Sequence, residues 1–238
     1  MHHVILEHWT RRESLLHSRD ARAKIIALLA FLIALSTTPA SSAVRIGAYA
    51  AVALVAVAVA RLPFAALLGR AAVVLPFSFT FAAICWIAGD HTRAIALLAK
   101  TYISAISVVV VAGSTPLPAL LKGFGALGAP RVLTSVIQFL YRYLFVISEQ
   151  AQHMRLAAAA RSGLKKADRR KRFEAASGAV GVLFGRSYYR AEGIHRAMLA
   201  RGYNGQLPVA SAAAFGIADA AFASFSVAAL VALRLLPY

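Results

Sequence analysis

Several groups of residues in this chain have types and spacings that chemistry could use, and most of them lack the surroundings that the chemistry needs. His2, His3 and His8 offer neutral imidazoles of the kind that bind borderline divalent metals. Adjacent histidines fill only part of a coordination shell and no second cluster completes it, so they read as a solvated tail. GFGALG, residues 123 to 128, matches G-x-G-x-x-G, but no strand precedes it and Pro130 follows at once, which removes the dinucleotide-binding context. Ser104 and Ser107 near Lys100 pair a nucleophile with a base and lack an orienting third group. No HExxH, GxSxG or GxxxxGK[ST] occurs, and no paired carboxylates share an apolar segment. The sequence thus presents no catalytic constellation, no metal site and no cofactor site.

Two arginines remain, in Ala160-Arg161-Ser162-Gly163 and Ala200-Arg201-Gly202, separated by 40 residues. Small neighbours let a partner's backbone come close while a guanidinium fork, with five donors, reaches carboxylates or carbonyl oxygens in a groove. An ordinary basic cap on the last turn of a helix has the same appearance, and spacing alone leaves both readings open. Asp219 sits in an apolar tail, Leu207 to Leu233, where an acid in mid-span marks a functional site. A span that begins near Ile217 instead puts Asp219 at the interface, beside the positive end of the helix. Lys100, alone in another apolar run, faces either a polar cavity or a headgroup.

The elements that carry these residues are apolar helices. Of 238 residues 60% are apolar and 15% charged, with a mean hydropathy of +0.69, far from the soluble average of about a quarter charged. Spans are expected over Ile25 to Thr38, where Pro39 ends the helix, over Ile46 to Ala60, over Ala71 to Gly89 with a kink at Pro76, and over Ala94 to Ser114. A short helix from Pro118 to Leu127 lies between Pro and Gly breakers. Arg131 to Arg161 follows as one helix of about 46 Å. Arg142 in its middle would cost ~2.5 to 3.5 kcal/mol at a bilayer centre, so this helix is expected to be tilted, interfacial or packed on protein. A second long helix ends at Gly202, with Val182, Leu183, Ile194, Met198 and Leu199 at roughly helical spacing among bases. The last span closes the chain.

Charge orients these elements. From Arg155 to Arg201 there are 12 Lys/Arg and 3 acids, a net +9 in 47 residues of a chain that carries +17 overall. That is the bias of a cytoplasmic segment of a membrane protein, and nucleic-acid binding is set aside on it. With Arg11, Arg12, Arg19, Arg22 and Lys24 also inside, four spans return the chain to the cytoplasm at Ser114, and the last leaves the C-terminus outside. The N-terminal residues do not form a cleavable signal peptide, and the single cysteine, Cys85, excludes an intrachain disulfide. The expectation is an all-α integral membrane protein of about five transmembrane helices with a cytoplasmic insertion of long amphipathic helices before the last span. Its divisions are a membrane domain at 1–114, the long-helix region at 115–206 and a final helix at 207–238.

Most of the chain resembles the transmembrane T component of energy-coupling factor (ECF) transporters, of the CbiQ type. SRDARAKIIALL is similar to that family's basic lead-in to its first span, STPLPALLKGFGALGAP to its Pro- and Gly-bounded segment, and FLYRYLFVISEQAQHMRLAAAARSG to its first coupling helix. LFGRSYYRAEGIHRAMLARGYNG is the most specific stretch, ending in Ala-Arg-Gly, an aromatic and a Gly-containing turn at Ala200, Arg201, Gly202, Tyr203 and Gly205. The resemblance implies a multi-pass protein of the cell (inner or plasma) membrane that couples two ABC ATPase subunits to a substrate-binding S component. It assigns ATPase contact to Ala160, Arg161 and Gly163 and to Ala200, Arg201 and Gly202. The first motif departs from the family's by reading Ala-Arg-Ser-Gly. ATP and Mg would be bound by the ATPase partners and no cofactor by this chain. The resemblance favours cobalt or nickel as cargo, with a vitamin as the alternative. A self-contained channel or permease that uses Asp219 and Lys100 is the reading from another class.

Overall fold

The computed structural model describes residues 16, 19–162, 169–205 and 216–235, and the described secondary structure is helical throughout. Two compact units divide the chain, one of Met1–Gly128 with Ala212–Tyr238 and one of Ala129–Ser211.

In the first unit, α1 (Ala21–Ser36) begins at the N-cap Asp20, whose carboxylate accepts a hydrogen bond from the Arg22 N–H at 2.8 Å. It ends where Thr37 and Thr38 turn their hydroxyls back onto the carbonyls of Ile33 and Ala34, both at 2.8 Å, just before Pro39 stops the helix. Helix α2 (Ala43–Ala60) is followed by Arg61 in the left-handed region, φ 51°. Helix α3 (Phe64–Ala71) passes through a 3-10 turn at Ala72–Val74 into α4 (Leu75–Ile87). The expected kink at Pro76 is this tightening. Pro76 has no N–H for the Ala72 carbonyl, and the Leu75 N–H takes it instead. The segment therefore runs continuously from Phe64, seven residues earlier than expected, with Arg70 inside it.

Helix α5 (His91–Ser114) is the centre of the unit and packs on α1, α2, α3 and α4. The core gathers Phe31 and Leu35, Tyr49 and Val57, Leu67, Ile106 and Val110, with the Phe31 and Tyr49 rings edge to face at 5.8 Å. Helix α6 (Leu117–Ala126), which the expected division after residue 114 assigns to the long-helix region, packs on α1. Gly123 permits that approach, since a Cβ there would stand 3.0 Å from Ile25 Cδ1 and 3.2 Å from Ala21 Cβ. Gly128 leaves α6 at φ 100°. Two glycines of the 123–128 motif are thus accounted for by packing and by chain reversal.

Helix α9 (Ile217–Leu235) starts at the later of the two expected positions, and Leu207 lies outside the described residues. It runs parallel to α1 along its length. The Asp20 N–H donates to Asp219 Oδ1 at 3.0 Å at one end, and Arg234 donates to the Thr37 hydroxyl at 2.8 Å at the other.

The second unit consists of α7 (Arg131–Ser162) and α8 (Arg169–Ala200), 32 residues each and therefore about 48 Å long. No described residue of either helix is buried. Leu183, Ile194 and Met198 are half-buried, whereas Val182 and Leu199 of the expected stripe are exposed with Phe184 and Tyr189. The described helices long and apolar enough to cross a membrane are Ala43–Ala60, Phe64–Ile87, His91–Ser114, Arg131–Arg161 and Ile217–Leu235. Helix α1 is shorter than these at 16 residues, and α7, expected to be tilted, interfacial or packed on protein, meets the requirement by length and composition alone.

Candidate functional site

Both arginines singled out in the sequence lie at the C-terminal ends of the two long helices. Arg161 occupies the last turn of α7, and Arg201 is the C-cap of α8. The end of α8 is a Schellman motif: the Tyr203 N–H donates to the Met198 carbonyl at 3.0 Å and the Gly202 N–H to the Leu199 carbonyl at 2.9 Å. This geometry requires a left-handed residue at position 202, and Gly202 supplies it at φ 80°. The order Ala-Arg-Gly acquires a physical meaning here. Glycine ends the helix, arginine occupies the last position before the reversal, and Ala200 keeps the flank small. All three residues are exposed. On α7, Ala160 and Arg161 are exposed as well, and Gly163 lies outside the described residues.

The acids of α8 are engaged within that helix, Glu174 by Arg170 at 3.0 Å and Glu192 by Arg196. Among the described residues neither Arg161 nor Arg201 has an ion-pair partner. Each therefore presents a guanidinium to whatever the helix end meets. Glu149 lies 3.8 Å from His153 Nε2, and Arg142 rests 6.0 Å from the Tyr143 ring, so Arg142 and Glu149 do not pair.

The long helices meet through small residues, with Ala151, Ala158 and Ala159 of α7 near Ala175, Ala176 and Ala179 of α8. Alanines at such a crossing let two backbones come close. Beside it runs a shallow groove lined by Gln150, His153, Met154, Arg161 and Arg186. Arg186 and His153 were not among the sequence candidates. Their meeting with Arg161 depends on where the helices cross, which spacing along one strand of sequence does not encode.

The family model described as CbiQ, cobalt transport protein, matches residues 12–210, which include both long helices and both arginine motifs. The chain belongs to the CbiQ family. This CbiQ chain is 24% identical over 246 residues to the uncharacterized protein MJ1571 of Methanocaldococcus jannaschii, across 94% of its own length and 83% of the relative's. It is 28% identical over 101 residues to a second uncharacterized protein of that organism, MJ1089, across 42% of its own length and 37% of the relative's. As a CbiQ member it is a multi-pass membrane component of a transport system, of the ECF T-component type.

The other sequence candidates are engaged with backbone groups. Asp219 begins α9, where its carboxylate accepts from the Gly216 N–H at 3.3 Å and the Asp20 N–H at 3.0 Å. Lys100 donates to the carbonyl of Thr38, at the far end of α1. Asp219 and Lys100 thus stand at opposite ends of a helix about 24 Å long, each engaged with helix-terminal backbone. His2, His3 and His8 lie outside the described residues, and no His/Cys/Asp/Glu cluster able to hold a metal occurs among the described ones.

Proposed function

We propose that this chain is the coupling subunit of an ECF-type importer, in which Arg161 and Arg201 each enter a groove on one of two ABC ATPase subunits. Closure of the ATPases, with ATP and Mg bound to them, would displace the ends of α7 and α8. The displacement would pass to the membrane helices that hold a substrate-binding S component. Family membership favours cobalt or nickel as the cargo, and the S component, not this chain, would select it. The long-helix unit lies on the cytoplasmic side in this reading, in keeping with its excess of Lys and Arg.

The observation that carries the proposal is the pair of exposed arginines closing two helices of 32 residues, with the nearby acids already engaged on their own helix. The absence of burial among the described residues of α7 and α8 supports it further, since a helix pair that buries so little of itself needs lipid or protein on its apolar residues. The direct test is co-purification with a co-expressed ABC ATPase pair. Wild type should retain both ATPases, and Arg201→Glu and Arg161→Glu should shed them because a carboxylate then faces an acidic or carbonyl-lined groove. Equal retention by wild type and both variants would remove the arginines from the interface.

A further inference from the structure

The chain leaves the membrane unit for α7 by way of Thr115 and α6, and after the long helices it is described in this unit from Gly216 onward. Thr115 and Gly216 are both fastened to the same short stretch, the start of α1. On the outgoing side, Lys24 is 2% exposed and its ammonium donates to the Ser114 carbonyl at 3.2 Å and to the Thr115 hydroxyl at 3.0 Å. Ser114 and Thr115 are themselves buried, and Thr115 is extended, directly before Pro116, so the exit is stiff as well as tied. Further along the chain, α6 lies against Ala21 and Ile25 through Gly123. On the returning side, the Asp219 carboxylate holds the Gly216 N–H with one oxygen and the Asp20 N–H with the other. Asp20 in turn accepts from the Arg22 N–H and lies 3.9 Å from its guanidinium.

We infer that Asp20, Lys24, Gly123 and Asp219 form a transmission joint, positioning residues that pass the displacement of α7 and α8 into the membrane helices. The inference rests on the coupling function proposed above. A buried ammonium cannot exchange its partners for water at little cost, and a carboxylate shared by two helix starts ties those starts together. A push that arrives through either connection therefore acts on α1 and, through α1, on α5 and α9, which pack against it. The joint belongs to the membrane unit and the proposed ATPase contacts to the long-helix unit, so breaking it should leave binding intact and remove the response.

The test uses the complex with its ATPase pair and two spin labels, one on the sole native cysteine, Cys85 of α4, and one on Val231→Cys, exposed on α9. The wild-type complex should show a change in label separation on trapping with ATP and vanadate. Lys24→Met and Asp219→Asn should keep ATPase retention and lower the responding fraction at least ~5-fold, the lower end of ordinary coupling between sites. The double variant should lose no more than either single one, because the residues act in one joint. The conservative Asp219→Glu should recover part of the response. An undiminished response in both single variants, or no response in a wild-type complex that retains its ATPases, overturns the joint and leaves the coupling reading standing. Wild type that never retains ATPases overturns both. If neither single variant nor Gly123→Val yields folded protein, the cluster is a folding element and the inference fails.

Discussion

Gly202→Ala isolates the backbone contribution to the proposed ATPase contact. Nothing stands within 4 Å of a Cβ built at this position, so a methyl group there meets open space and causes no clash. The whole cost arises from φ 80°, a left-handed conformation that disfavours an L side chain by roughly 1–2 kcal/mol. In the free chain the alanine variant relaxes, losing the Tyr203-to-Met198 and Gly202-to-Leu199 bonds that place Arg201. Binding must then restore the left-handed turn, which weakens ATPase affinity by up to about 5- to 30-fold for that energy. Titrating the purified ATPase pair against the detergent-solubilised chain measures the change as a Kd. Gly202→Asn should lose clearly less, since asparagine tolerates the left-handed region. Gly178→Ala supplies the control: it adds the same methyl group to the same helix, also in open space, at a glycine without a positive φ. It should leave affinity unchanged while favouring α8 by up to ~1 kcal/mol. Unchanged affinity in Gly202→Ala, or equal losses in the alanine and asparagine variants, would refute the assignment of the Schellman end as the element that places Arg201.

Arg201→Lys should also weaken ATPase retention, by roughly tenfold in Kd, because an ammonium replaces the forked donor geometry with a single point charge. Lys100→Met should destabilise the membrane unit by about 1.5 kcal/mol, the low end for a hydrogen bond to a charged group, since the site is only half-buried. Thermal unfolding in detergent would show this as a fall of a few degrees, with ATPase retention intact. Gly123→Val should destabilise by ~1–3 kcal/mol through overpacking against Ile25 and Ala21, again seen in thermal unfolding, whereas Gly125→Val, at an exposed position of the same helix, should not.

Hydropathy and charge make most of the membrane architecture legible because lipid imposes simple rules: apolar length, breakers at the ends, bases inside. Errors occur where a charge interrupts an apolar run. Arg45 and Arg70 lie inside α2 and within the Phe64–Ile87 segment, and their presence makes the apolar runs look shorter than the helices. The position of Asp219, in the first turn of its helix, follows from where α9 starts, a choice that composition leaves open. Lys100 is harder to read, since its partner is a backbone carbonyl 62 residues away that nothing in the local sequence marks. At the candidate site Gly202 is legible as a helix stop, and its φ gives the Ala-Arg-Gly order its reason. Arg186 and His153 beside Arg161 become visible only once the alanine-lined crossing of α7 and α8 is known.

The shortness of α1 has a consequence for the surrounding lipid. Sixteen residues rise about 24 Å, against a hydrocarbon thickness of roughly 30 Å, and the far end is closed by the cations Lys100 and Arg234 at Thr38 and Thr37. In a bilayer of that thickness those charges would draw headgroups and water inward, and the leaflet beside this end of α1 would thin instead of the helix lengthening. Membranes with shorter acyl chains relieve that elastic deformation and longer ones increase it. Acyl-chain length therefore sets how much strain the host membrane places on this component, and how readily another membrane protein settles against α1 to share the dimple.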